Sequence, residues 1–126
     1  MSVRVLVIDD DPKTRDLAKA ILEQESFVVR TAVGGVSGLT QADAEPPDVI
    51  VLDVQMPGMD GYEVCRVLRH GEKTKRIPIV MLTACDDVGL NRKAFAVGAQ
   101  MCVTKPFRRE ALETAIAVAL RMIPKQ

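Results

Sequence analysis

The chain has 126 residues, of which 48% are hydrophobic, and this is enough for one domain with a contiguous core but too little for a second folded domain. Lysine plus arginine and aspartate plus glutamate number 17 each, so the net charge of zero argues against a protein that neutralises a nucleic-acid backbone over a broad surface. No apolar run is long enough to span a membrane and no signal-peptide pattern is present, so we expect a single cytoplasmic domain over residues 1–126 with no direct contact to nucleic acid or membrane.

Short β-branched runs alternate with longer segments of helical spacing along the chain. Five strands are predicted, over residues 3–8, 27–31, 49–52, 79–82 and 101–104. The first, third and fourth runs are wholly apolar at their centres, which is typical of parallel strands buried on both faces, whereas the other two carry polar residues. We therefore predict a doubly wound α/β fold: a five-stranded parallel sheet in the order 2-1-3-4-5 with five crossover helices.

Helix boundaries and core-facing stripes can also be read from the residue pattern. Asp11 followed by Pro12 is typical of a helix N-terminus, and Gly71 and Gly98 lie where the third and fourth helices are expected to end. Apolar spacing predicts that the core faces of the first and last helices include Leu17, Ala20, Ile21, Leu112, Ala115, Ile116, Ala119 and Leu120.

Polar side chains follow four of the predicted strands at the point where each strand ends. Asp9 and Asp10 follow strand one, Asp53 follows strand three, Thr83 follows strand four and Lys105 follows strand five. The carboxyl ends of parallel strands meet at one edge, and strands one and three are predicted neighbours, so the three carboxylates should converge. Converging carboxylates need a cation, and Mg²⁺, with Mn²⁺ as the alternative, suits oxygen ligands that leave positions open for phosphate oxygens. Lysine and threonine beside such a site indicate phosphoryl transfer.

Four segments in this order resemble the receiver domain of two-component response regulators, the CheY-like group. They are residues 7–11, 51–61, 81–84 and 103–107. The resemblance implies that Asp53 accepts a phosphoryl group from a histidine kinase or histidine phosphotransfer protein, and that Asp9, Asp10, Asp53 and the backbone carbonyl of Gln55 hold Mg²⁺. It also implies that Thr83 and Lys105 contact the phosphoryl oxygens.

The same resemblance implies a cis peptide bond between Lys105 and Pro106, and a phosphoacceptor switch in place of a turnover enzyme. The output would be the surface of helix four, strand five and helix five, read by a downstream protein or by an output domain missing from the chain. Thr14, Ala18 and Pro106 beside the acidic edge are the expected contacts for the kinase or phosphotransfer protein. Glycines in residues 56–61 are expected to permit positive φ next to the acceptor.

The sequence departs from the family at Cys102. These receivers often carry a Tyr or Phe there, whose ring moves inward as the threonine is drawn to the phosphoryl group. An aromatic readout at this switch position is therefore in doubt. Cys102, Cys65 and Cys85 have no C-x-x-C spacing, and their odd number favours free packing residues in a reducing compartment. Lysines and arginines are frequent between Arg66 and Arg76, and this basic run is interpreted as a solvated face.

Two other classes remain open from the sequence. Asp9 and Asp11 form the D-x-D spacing of haloacid-dehalogenase-like phosphatases, in which Asp9 would be the nucleophile and Mg²⁺ the cofactor, although Lys13 and the short chain fit this class poorly. A flavodoxin-like electron carrier shares the strand order. However, three aspartates would repel a flavin phosphate, and 3% aromatic residues leave little to stack on the ring.

Overall fold

The computed structural model of the chain describes residues 2–84 and 88–122, and five strands alternate with five helices in them. The expected packing role of Cys85 lies outside these residues. In chain order the elements are β1 (Arg4–Ile8), α1 (Pro12–Gln24), β2 (Val28–Ala32), α2 (Gly35–Ala44), β3 (Val49–Asp53), α3 (Gly61–His70), β4 (Ile79–Thr83), α4 (Val88–Ala96), β5 (Met101–Thr104) and α5 (Arg109–Arg121). None of the helices in the described part of the chain is long and apolar enough to cross a membrane.

The five strands form one parallel sheet in the order β2-β1-β3-β4-β5. The predicted topology is therefore confirmed, and every predicted strand is present with its ends within one residue of the expected position. Ile8 of β1 lies beside Leu52 of β3 in the register. The residues that follow this pair, Asp9 and Asp53, are thereby brought to the same point on the carboxyl edge.

Two apolar layers cover the two faces of the sheet. Alternate residues of β1 serve different layers: Leu6 and Ile8 pack with α2, α3 and α4, whereas Val5 and Val7 pack with α1 and α5. Strand side chains point alternately to opposite faces, so a strand covered on both sides must be apolar throughout. This explains the unbroken apolar runs of β1, β3 and β4.

Helix α1 begins as predicted but presents a different face to the core. The Asp11 carboxylate caps the helix by accepting a hydrogen bond from the Lys13 amide, at 3.0 Å. The buried side chains are Ala18, Ile21 and Leu22, whereas Leu17 is 47% exposed and Ala20 is also exposed. The predicted stripe was therefore wrong at Leu17 and Ala20, because residues 18, 21 and 22 give the helical spacing that faces the sheet.

The basic run at the end of α3 is not a uniformly solvated face. Arg69 is half-buried, and its guanidinium donates to the carbonyl oxygens of Ile77 at 2.7 Å and Gly98 at 2.6 Å. Gly71 caps α3 and Gly98 adopts a φ of +108° after α4, as expected for helix ends. Arg69 therefore links α3 to the segment before β4 and to the segment between α4 and β5.

Candidate functional site

Three carboxylates converge at the carboxyl edge of the sheet. Asp9 and Asp10 follow β1, Asp53 ends β3, and one carboxylate oxygen from each lies within 4.8 Å of the others. Asp9 is 0% exposed and Asp53 is 2% exposed, while Asp10 is open to solvent. The predicted convergence of these three residues is confirmed, and it results from the pairing of β1 with β3.

Lys105 links two of the three carboxylates. Its Nζ lies 2.8 Å from Oδ1 of Asp53 and 3.3 Å from Oδ2 of Asp9. The backbone of Lys105 is fixed by its amide, which donates to the carbonyl of Thr83 at 2.7 Å, and the Lys105–Pro106 peptide bond is cis, as expected. One ammonium group therefore partly offsets a cluster of three acidic groups.

The crowding of acidic groups changes how Asp53 titrates. Burial raises the pKa of Asp53 to about 6, the charges of Asp9 and Asp10 add to this effect, and Lys105 opposes it. Burial would lower the pKa of Lys105, but its hydrogen bond and charge contact with Asp53, together with the charge of Asp9, outweigh burial and raise it. The charged form of Asp53 is thus held in an environment that disfavours it.

Asp11 is not part of this cluster and instead caps the N-terminus of α1. Hydrogen bonds from the Lys13 amide and the Thr14 hydroxyl lower the pKa of the Asp11 carboxyl. The Asp11 amide in turn donates to Oδ1 of Asp9 at 2.9 Å, so one oxygen of Asp9 is engaged by the backbone and the other by Lys105. These contacts fix the orientation of Asp9 and leave Asp53 as the acidic group at the centre of the site.

The donor set fits a hard divalent cation. The cluster offers only oxygen ligands, and the single ammonium of Lys105 does not balance three carboxylates. The pKa of Asp53 is raised from its ordinary 3.8 to about 6, so an added positive charge nearby would stabilise its charged form. The backbone carbonyl of Gln55 was the fourth expected ligand. Gln55 lies two residues after Asp53 in the sequence and is exposed.

A cavity of about 460 Å³ adjoins the acidic cluster. Thr83, which ends β4 and is 1% exposed, lines it together with the exposed Ala84. Residues 54–57, Asp60 and Tyr62 form the opposite wall. The small Ala84 side chain leaves this side of the site accessible.

The loop after β3 depends on two glycines for different reasons. Gly58 has a φ of +79°, which favours glycine. Gly61 does not have positive φ, but a Cβ there would lie 2.3 Å from the Asp53 carbonyl oxygen. The expectation of positive φ therefore holds for Gly58, and Gly61 is required by close backbone approach behind the acidic residue.

The expected partner contacts divide into two groups. Thr14 and Pro106 line a groove of about 300 Å³ together with Leu17 and Phe107. Ala18 is 0% exposed and packs in the core under α1, so its expected role as a partner contact is wrong. Leu17, which the sequence pattern had placed in the core, lines this groove beside Thr14 on α1.

The two described cysteines behave as packing residues. Cys65 is buried and free, and burial raises the pKa of its thiol to about 11. Cys102 is free and partly buried against the same apolar layer. The switch position is thus filled by a small side chain without a ring.

The sheet order and the acidic edge define the class of this protein. It is a doubly wound α/β domain with a cluster of three carboxylates at its topological switch point. The family model described as the response regulator receiver domain matches residues 5–117. The chain belongs to the response regulator receiver family, whose members act as signalling switches in two-component systems. This membership decides against the phosphatase and flavodoxin-like classes that the sequence left open.

Relatives by sequence are longer proteins. The chain is 40% identical over 118 residues to the DNA-binding dual master transcriptional regulator RpaA of Synechocystis sp., covering 94% of this chain and 49% of RpaA. It is 43% identical over 106 residues to the response regulator PleD of Caulobacter vibrioides, covering 84% of this chain and 23% of PleD. The chain therefore spans half or less of the length of these two curated relatives.

Two solved structures illustrate the similarity in fold. The chemotaxis protein CheY4 of Vibrio cholerae matches with a TM-score of 0.90 and 32% identity, covering 94% of this chain and 99% of CheY4. The receiver domain of sensor histidine kinase PA1611 from Pseudomonas aeruginosa matches with a TM-score of 0.88 and 25% identity, covering 97% of this chain and 100% of that domain. The latter was solved with a magnesium ion coordinated in its active-site cleft.

Proposed function

We propose that this chain is a phosphoacceptor whose Asp53 takes a phosphoryl group from a phosphohistidine of a histidine kinase or phosphotransfer protein. The observation that carries the proposal is the position of Asp53 within the acidic cluster, 2.8 Å from Nζ of Lys105 and beside Asp9 and Asp10. Receiver-family membership supplies the class of reaction.

The transfer balances without a further reactant. A carboxylate oxygen of Asp53 attacks phosphorus, a P–O bond forms, the P–N bond to the donor imidazole breaks, and the leaving nitrogen takes up a proton. Water later attacks the acyl phosphate, which regenerates the carboxylate and releases inorganic phosphate. Negative charge on the equatorial oxygens is stabilised by the Lys105 ammonium, and the Thr83 hydroxyl donates a hydrogen bond to one of these oxygens.

Asp9, Asp10, Asp53 and the carbonyl of Gln55 would hold Mg²⁺, or Mn²⁺ in its place. When bound, the cation supplies positive charge next to the transferring group and relieves the repulsion among the three carboxylates. Support comes from the all-oxygen donor set of this chain and from the magnesium site of the similar PA1611 receiver domain.

The whole chain is proposed to act as one domain, residues 1–126, and as a switch. Its output surface would be α4, β5 and α5, read by a downstream protein or by an output domain, since the relatives extend beyond the matched region. The domain itself would bind neither nucleic acid nor membrane. Free Cys65 supports a reducing, cytoplasmic location.

The test is labelling of the purified protein with phosphoramidate and Mg²⁺, followed by mass measurement and site mapping. We expect one base-labile, hydroxylamine-sensitive phosphoryl group on Asp53, none on Asp53→Asn, and normal labelling of Asp43→Asn, in which an exposed carboxylate on α2 is lost. Equal labelling of the wild type and Asp53→Asn, or a phosphoryl group mapped to Asp9, would overturn the assignment.

A further inference from the structure

Few of the side chains that the structure describes on helix α4 are buried. Among its described side chains, Ala94 is fully buried, whereas Phe95 is 49% exposed and Arg92 is also exposed. An alanine buries little apolar area, so it contributes little to fixing a helix against its neighbours. Polar contacts of the described residues therefore contribute to the position of α4.

The C-terminal end of α4 is anchored by a network. Arg69 of α3 donates twice to the carbonyl oxygen of Gly98, from Nε at 3.0 Å and from Nη2 at 2.6 Å, and once to Oε1 of Gln100 at 2.8 Å. Oε1 of Gln100 also accepts from the Ile79 amide of β4 at 2.7 Å. The segment after α4 is thereby fixed, and displacement of the helix would pivot about this end.

A second contact joins α4 to α3. The Lys93 ammonium sits 4.4 Å from the centroid of the Tyr62 ring, within the range of a cation–π interaction. Tyr62 is on α3 and is 4% exposed.

Tyr62 also faces the candidate site. It lines the 460 Å³ cavity that Thr83 and Ala84 also line. Tyr62 thus contacts Lys93 of α4 and also lines a cavity that Thr83 lines. A shift of Thr83 would change the shape of the cavity that the Tyr62 ring also lines.

We propose that the Lys93–Tyr62 contact is a latch that holds α4 in its unphosphorylated position, and that movement of Thr83 toward a phosphoryl group on Asp53 displaces the Tyr62 ring and releases Lys93. This inference rests on the proposed phosphoacceptor function and adds the residues that transmit the signal to α4. A cation–π contact at an exposed lysine biases a two-state equilibrium by about two- to fivefold. Linkage requires the same factor to appear in the affinity for a phosphoryl mimic.

The experiment is a titration with beryllofluoride and Mg²⁺ at fixed ionic strength, followed by amide shifts of the protein. Lys93→Met removes the charge but keeps much of the side-chain length, and we expect its half-saturating concentration to fall by about two- to fivefold. Simple loss of a positive charge near an anion site would weaken binding, so the expected sign separates the latch from general electrostatics. An unchanged or higher half-saturating concentration contradicts the proposal.

Matched variants sharpen the result. Lys93→Arg keeps a cation over the ring and should titrate like the wild type, as should Lys19→Met, which removes an exposed lysine from α1. Tyr62→Leu, which removes the ring, should tighten binding as Lys93→Met does. A Tyr62→Leu variant that titrates like the wild type would contradict a ring–cation latch.

Failure of the latch is distinguishable from failure of the phosphoacceptor assignment. If wild-type protein does not bind beryllofluoride at Asp53, the proposed function is wrong. If it does bind, and α4 amides in unliganded Lys93→Met do not shift toward their beryllofluoride-bound positions, the latch alone is wrong.

Discussion

The local environment of Asp53 opposes the charged form of its carboxyl group. The pKa of Asp53 is raised from its ordinary 3.8 to about 6, first by burial and then by the charges of Asp9 and Asp10. Between these two values the folded protein binds more protons than the unfolded chain, so the free energy of unfolding falls as pH rises through this window. The destabilisation is complete above about pH 6 and absent below about pH 4.

Asp53→Asn should therefore stabilise the protein at neutral pH when divalent ions are removed with EDTA. We expect the variant to exceed the wild type by about 3 kcal/mol at pH 7.5, because each pKa unit corresponds to about 1.36 kcal/mol, and the difference should vanish near pH 4. Urea unfolding at a series of pH values measures this. Asp43→Asn is the control and should show no such pH-dependent gain, and a wild-type protein as stable as Asp53→Asn at pH 7.5 would contradict the prediction.

At the scale of the elements, α2 lies close to β1 because Gly38 has no side chain. A Cβ at Gly38 would meet Cδ1 of Ile8 at 2.5 Å and both of its Cγ atoms at 3.0 Å or less. Ile8 is 0% exposed, so it has no free space into which it can retreat. The contact sets the distance between helix and sheet beside Asp9.

Gly38→Ala should destabilise the protein by about 1–3 kcal/mol through overpacking, although alanine favours helix by about 1 kcal/mol. Ile8→Val removes the Cδ1 atom, so the double variant should recover part of the loss. A double-mutant cycle by chemical denaturation measures the coupling between the two residues. Strictly additive free energies would show that Gly38 is not constrained by Ile8.

The elements also show what the sequence could and could not predict. Strand order and the meeting of Asp9, Asp10 and Asp53 were predictable, because apolar runs identify buried strands and parallel strands share a carboxyl edge. The face of α1 was not, because Leu17 and Ala18 both fit a helical stripe and only the packing of α1 on the sheet selects Ala18. The Arg69 network was also missed, since most of its acceptors are backbone carbonyls, which leave no pattern in residue type.

For the whole molecule, the acidic site is coupled to global stability because it lies at the ends of the two central strands, β1 and β3. A cation that binds only the folded chain raises the free energy of unfolding by about 2.7 kcal/mol at one hundred times its dissociation constant. For a domain of this size we expect the unfolding midpoint to rise by about 10 °C when Mg²⁺ replaces EDTA. Differential scanning calorimetry at constant ionic strength gives the shift.

Asp10→Asn is the decisive variant for this prediction. Asp10 is exposed, so its replacement should leave the fold intact while removing one of the three carboxylates that would hold the ion. We expect most of the Mg²⁺-dependent shift to be lost in Asp10→Asn and retained in Asp43→Asn, which has the same change in net charge. Equal shifts in the two variants would mean that Mg²⁺ acts by general screening, because screening depends on charge and not on the position of one carboxylate.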